Sequence, residues 1–156
     1  MNKVPKEIEL FFETDTKNVL KGYFIYLSEL ERDKYARICS EYKKWESGVP
    51  FAISVFGEVL EWSDDGYIIL YKIMEDSVDV ILQGSDYFAQ IISDSGIQSE
   101  YLEMDKYMGA LNQVGELEEN ECYIFEPIPA LGGSKDVNTI SKGDRETYLS
   151  WMVQML

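Results

Sequence analysis

Carboxylates are the side chains of this sequence that could do chemistry. Its 156 residues hold 29 Asp and Glu against 14 Lys and Arg, with no histidine, for a net charge of −15. Glycoside hydrolysis needs only two carboxyl groups whose surroundings separate their pKa values. No local pattern sets two of these acids across a cleft, so a small carboxylate enzyme or ligand-binding domain stands as the alternative and no catalytic residue is named. Asp64-Asp65 and Asp76 with Asp79 lack the D-x-[DN]-x-[DN]-G spacing that wraps calcium in oxygens, and they read as a hairpin turn and a solvated loop. No metal site is expected. Without histidine there is no Ser-His-Asp or Cys-His pair and no imidazole-bound zinc. Gly132-Gly133-Ser134-Lys135 matches neither phosphate-loop pattern, so no nucleotide and no cofactor is expected. Cys39 and Cys122 form no spacing pattern and are expected as buried free thiols.

The charge is unevenly placed. Residues 1–44 hold 9 basic and 8 acidic side chains, and residues 45–156 hold 5 and 21. Between residues 46 and 105 there are 13 carboxylates and one base, Lys72. A face of this kind repels nucleic acid and anionic bilayers and attracts cations or a basic protein. No window approaches 18 uninterrupted apolar residues, and Glu7 and Glu9 interrupt any early signal-like run, so a cytoplasmic protein is expected.

The elements that must position these acids follow from periodicity. Ile8, Phe11 and Phe12 after Pro5 predict a short helix. Residues 19–27 suit a strand or a helix. Ser28 and Glu31 form a capping box ahead of Tyr35, Ile38, Tyr42 and Trp45, which predicts a helix ending near Gly48-Val49-Pro50. Val59–Trp62 and Tyr67–Tyr71 flank Ser63-Asp64-Asp65-Gly66 as a hairpin, and Val78–Leu82 adds a third strand. Helical patterns follow at Phe88, Ile91 and Ile92 and at Tyr101, Met104, Met108 and Leu111, expected over one sheet face. Cys122–Phe125 and Val137–Ile140 read as strands around a Pro/Gly loop, and a helix bearing Tyr148, Trp151, Met152 and Met155 closes the chain. The fold class is α+β: a single domain with an antiparallel meander or mixed sheet packed with helices.

Phe125-Glu126-Pro127-Ile128-Pro129-Ala130-Leu131-Gly132-Gly133 is the sharpest local feature. Pro127 and Pro129 stiffen the approach, and Gly132 and Gly133 allow a sharp reversal, so these four residues form a structural loop. The run P-x-P-A-L-G-G, then V-N-x-I and a terminal Y-L-x-x-M, resembles the C-terminal domain family of type VI secretion immunity proteins. Phe56–Gly66, with F-G-x-x-x-x-W before a hairpin, resembles the junction with a GAD-like domain. The resemblance covers about residues 49–156. It implies an α+β immunity-protein-like region at 49–156 after an N-terminal helical segment at 1–48, the two forming one compact unit. It carries over no catalytic residue.

Resemblance and charge point the same way, to an immunity or antitoxin-like protein that binds and neutralises a cognate toxin bearing a basic surface, without nucleic acid or membrane as partner. The candidate contacts are Asp64, Asp65, Glu75, Asp76 and Asp79 on the hairpin loops, with Glu116, Glu118, Glu119 and Glu121 as a second patch. An interaction module whose acidic face serves solubility is the remaining alternative. The oligomeric state is not legible in one chain.

Overall fold

The computed structural model describes residues 3–14 and 19–156. Helix α1 (Lys6–Thr14) begins after Pro5, whose carbonyl accepts from Ile8 and Glu9, and it buries Ile8 and Phe11. The ambiguous stretch 19–27 resolves as a turn, with Lys21 and Gly22 at positive φ, followed by strand β1 (Phe24–Tyr26). The capping box opens α2 (Glu29–Cys39): Ser28 Oγ accepts from the Glu31 amide, and Glu31 accepts from the Ser28 amide.

This helix stops at Cys39, well before Gly48. The Ser40 hydroxyl bonds back to the Arg37 carbonyl, and the chain continues in i to i+3 turns through Tyr42 and Trp45. Those turns preserve the helical spacing of the two rings, which still reach Tyr71 with centroids 6.5 and 4.7 Å away. Periodicity thus located the packing and overextended the helix.

Strands β2 (Val49–Ser54), β3 (Val59–Trp62), β4 (Tyr67–Lys72) and β5 (Ser77–Gln83) complete an antiparallel five-stranded sheet in the order β1-β2-β3-β4-β5. Its middle strands are buried on both faces. Phe12 stacks on Tyr26, and Phe88 of α3 (Phe88–Ile92) meets Phe51, so α1 and α3 cover one side, while Tyr42 and Trp45 cover Tyr71 on the other. After α3 come α4 (Ser95–Ile97), a π-helical turn through Leu102, and α5 (Met104–Val114).

Strand β6 (Glu121–Phe125) pairs with β7 (Ile140–Asp144) in a second antiparallel sheet, tied to the first where the Tyr123 amide donates to the Val55 carbonyl at 2.7 Å. The strand expected at Val137–Ile140 is mostly a 3₁₀ turn over Val137–Thr139. Asp136 accepts from the Asn138 amide with its carboxylate and from the Thr139 amide with its carbonyl, which draws the backbone away from an extended path. The pairing strand starts only at Ile140, and its polar run ISKGD gives no apolar alternation. Helix α6 (Arg145–Met155), capped by Asp144, buries Leu149, Met152 and Val153 and leaves Trp151 and Met155 exposed.

One hydrophobic core extends from Val4 to Val153. Cys39 and Cys122 lie inside it as free thiols, each pushed up to about 12 by burial. Among the described residues no helix is long and apolar enough to cross a membrane.

In the Pro/Gly loop, the Gly133 amide donates to the Ile128 carbonyl, and a Cβ on Gly133 would lie 1.7 Å from the Pro127 carbonyl oxygen. Gly132 has φ +94° with open space around it. Gly133→Ala therefore collides with backbone, whereas Gly132→Ala meets only the left-handed penalty. Urea denaturation is expected to show a loss of about 3 kcal/mol for the first and about 1 kcal/mol for the second.

Candidate partner-binding face and the ion cage behind it

The acids divide into a neutralised interior group and an unneutralised surface group. The interior group is built first by the tight turn after β2. The Ser54 hydroxyl accepts from the Glu58 amide, fixing Glu58, which is 2% exposed, at the head of β3. One Glu58 oxygen accepts from the Tyr23 hydroxyl at 2.5 Å. The other makes no hydrogen bond and faces the Lys106 ammonium at 3.7 Å. Lys106, on the first turns of α5, also lies 3.2 Å from Glu103 and 3.7 Å from Glu75, with its ammonium 4.2 Å from the centre of the Phe56 ring. Lys135, just past the Pro/Gly loop, reaches Glu75 at 2.7 Å and Glu103 at 3.0 Å, and Lys72 at the end of β4 reaches Glu103 at 3.5 Å.

Three lysines and three glutamates cancel. Burial works to raise the Glu103 carboxyl, but Lys106, Lys135 and Lys72 hold it down at about 2. Burial and the neighbouring Glu58 push the Tyr23 hydroxyl well up. The oxygens of Glu58, Glu75 and Glu103 lie within 4.8 Å of one another, a spacing suited to a cation. The Lys106 ammonium takes that role, and a divalent ion would have to sit against it.

Sequence reasoning singled out only Glu75 from this cage. Its one visible signal was Lys72, the lone base among 13 carboxylates, directly after the apolar strand pattern Tyr67–Tyr71, where a charge must be paired.

The surface group lines a cleft of about 620 Å³ between the β1 edge and the α5–β6 connection. Glu116, Glu118, Glu119 and Glu121 stand on one wall, and Glu31 of α2 joins them. Two bases also line it: Lys21 and Arg145. Arg145 is 3% exposed and donates to the Tyr35 hydroxyl. Among the described residues, Glu116, Glu118 and Glu119 are exposed and form no salt bridge. Glu121 is occupied by the Glu118 amide at 2.7 Å. The wall is held in place by Tyr123, whose hydroxyl donates to the Gly115 carbonyl, and by Tyr107, whose hydroxyl donates to the Lys21 carbonyl. Exposed Ile25 and half-buried Leu117 add apolar surface.

The hairpin acids do not form one patch. Asp64 and Asp65 sit at the β3–β4 turn, where Ser47 and Ser63 donate to them. Glu75 and Asp76 lie beyond the far end of β4, about 20 Å along the strand. Glu75 belongs to the cage. Asp76 accepts from the Tyr42 hydroxyl at 2.6 Å and pairs with Lys44, and that hydroxyl and ammonium lower its carboxyl. Asp79 is half-buried on β5, the sheet edge.

A further buried carboxyl stands apart. Glu61 on β3 is fully buried and accepts from the Gly48 amide and the Tyr71 hydroxyl, with no salt bridge among the described residues. Burial pushes it up to about 7, against the pull of those two hydrogen bonds. Glu61 and Glu103 are thus strongly separated in pKa, but neither the cleft nor the recess beside α6 is lined by either of them. The carboxylate-enzyme alternative asked for two such groups in one cavity.

Residues 83–156 match the family model described as T6SS immunity protein Tdi1, C-terminal. That span runs from the end of β5 through α6 and contains the P-x-P-A-L-G-G loop and terminal helix on which the resemblance rested. Over this span the chain is similar to a type VI secretion immunity protein. The match leaves out Phe56–Gly66 and residues 1–48, where the GAD-like resemblance was placed. No curated protein matches the chain. Among solved structures, the crystal structure of Atu4351 from Agrobacterium tumefaciens is similar in fold, with a TM-score of 0.60 and 17% identity, covering 99% of this chain and 82% of that one.

Two stability measurements follow. Lys106→Met leaves three carboxylates without their central cation and is expected to cost about 3–5 kcal/mol in chemical denaturation. Lys34→Met, which breaks the exposed pair with Glu146, is expected to cost about 0.5 kcal/mol or less. Glu61 gives a pH signature. Its folded pKa of about 7 lies above the ordinary 4.5, so its contribution is greatest below pH 4.5 and falls as pH rises to 7. Glu61→Gln removes that fall. The variant is expected to match or trail the parent near pH 4.5 and to exceed it by about 2 kcal/mol near pH 8, with denaturation curves at both pH values as the check.

Proposed function

We propose that this protein is an immunity protein that binds a cognate secreted toxin in the cytoplasm and neutralises it by stoichiometric occupation. The observation that carries the reading is the family match over residues 83–156, the segment that supplies most of the acidic cleft wall. Unpaired carboxylates beside Ile25 and Leu117 suit a basic polypeptide surface: charge speeds and selects the encounter, and apolar contacts hold it. If the toxin is a nuclease, its substrate groove is basic, and clustered carboxylates can stand where phosphates would, so inhibition is competition. Asp64 and Asp65 remain as secondary contacts, and Glu75 and Asp76 act through the ion pairs they already make.

The test uses the toxin recovered with this protein in a pull-down at low salt. Combined Glu116→Gln, Glu118→Gln and Glu119→Gln is expected to slow association about tenfold at low ionic strength, with the difference closing as salt is raised. Unchanged association rates at low salt would remove the cleft from the interface. Recovery of no toxin, with survival indifferent to deletion of this protein, would end the immunity reading.

A further inference from the structure

The acidic cleft leaves unused the one motif that marks the chain most sharply, the Pro/Gly loop and the helix after it. Beside Pro127 lies an open recess of about 510 Å³, walled by Trp151 and Tyr148 of α6 with Ile124 and Ile128. Trp151 is 42% exposed, a large aromatic surface left in water. Tyr148 is held by close packing: a Cβ on Gly143 would lie 2.0 Å from its ring, and its hydroxyl donates to Glu126 at 3.3 Å. Among the described residues, Glu126 is the only charged one lining the recess. It is exposed and forms no salt bridge among the described residues.

We infer that this recess receives an arginine side chain from a partner protein, with the aliphatic stem on Pro127 and the guanidinium between the Trp151 ring and the Glu126 carboxylate. An apolar side chain would fill the same space but would desolvate Glu126 without giving its charge a counter-ion. A lysine would satisfy the charge yet lacks the planar group that stacks on indole and presents two parallel donors to a carboxylate. The combination of one carboxylate, the exposed Trp151 ring beside Tyr148 and, among the described residues, no lining base selects the guanidinium. The recess draws its lining wholly from residues 124–151, inside the family-matched span. The inference rests on the reading that the chain binds a protein, but its test does not need that protein.

The intact chain is titrated with N-acetyl-arginine amide while the Trp151 indole N–H is followed by NMR, assigned by its loss in Trp151→Phe. A saturable shift is expected with a Kd of roughly 1–10 mM. It should weaken at least about fivefold with the citrulline analogue, which keeps the shape and loses the charge, and in Glu126→Gln. Glu118→Gln, in the separate cleft, should leave it unchanged. No saturable shift, equal binding of citrulline, or undiminished binding in Glu126→Gln would each overturn arginine recognition. Failure here leaves the cleft reading standing, and a cleft that does not bind toxin leaves this result standing, so the two are separable.

Discussion

The Lys106 ammonium is the constraint on which the rest of the molecule depends. A buried ammonium is costly unless carboxylates surround it, and removing either side leaves an uncompensated charge in a low-dielectric interior. Glu58 comes from the turn after β2, Glu75 from the end of β4 and Glu103 from the residue that begins α5, so three elements far apart in sequence must meet at one point. Lys135 extends the same network to the Pro/Gly loop. The cleft wall follows the C-terminal end of α5, and the aromatic recess flanks the start of the loop. Both outward-facing features are therefore attached to elements that the cage holds in register with the main sheet.

The cage also explains where the net charge goes. After residue 44 the chain has five basic residues, and three of them, Lys72, Lys106 and Lys135, are spent on Glu58, Glu75 and Glu103. A fourth, Arg145, is buried against Tyr35, and Lys142 bonds a backbone carbonyl at Glu116. The other acids of that region are left with almost no local cations. Surface negativity is thus a consequence of how the interior is neutralised, and at the cleft Lys21, Arg145 and Lys142 leave Glu116, Glu118 and Glu119 without a salt bridge among the described residues.

How much of this was legible in the sequence depended on the range of the interactions. Ser28 and Glu31 announce α2 because capping is a contact within one turn, and Asp65-Gly66 announces the β3–β4 hairpin for the same reason. The end of α2 was misplaced because Tyr42 and Trp45 keep helical spacing in a chain that has already passed into 3₁₀ turns. The β7 strand was shifted because an Asx-type turn at Asp136 competes with extension, and Ile140–Asp144 offers a single apolar residue. The cleft acids at 116–121 could be picked out as a dense run. The cage could not, since Lys72 signals a charge to be paired without naming its partner, and Glu58, Glu103 and Lys135 look like unremarkable charges until the fold brings them together.

The arrangement of polarity suits the polypeptide partner proposed above. The cleft is strongly negative but half-open and only partly apolar. The recess is apolar, aromatic and likewise open, with a single carboxylate at its edge. Strand β6 contributes to both, Glu121 and Tyr123 to the cleft and Ile124 and Phe125 to the recess. A small molecule could occupy one of these features and gain nothing from the other. A polypeptide surface curving around the β6–β7 hairpin can be steered by the carboxylates of one and anchored by the tryptophan of the other, which is the division of labour expected where charge governs encounter and buried aromatic area governs residence.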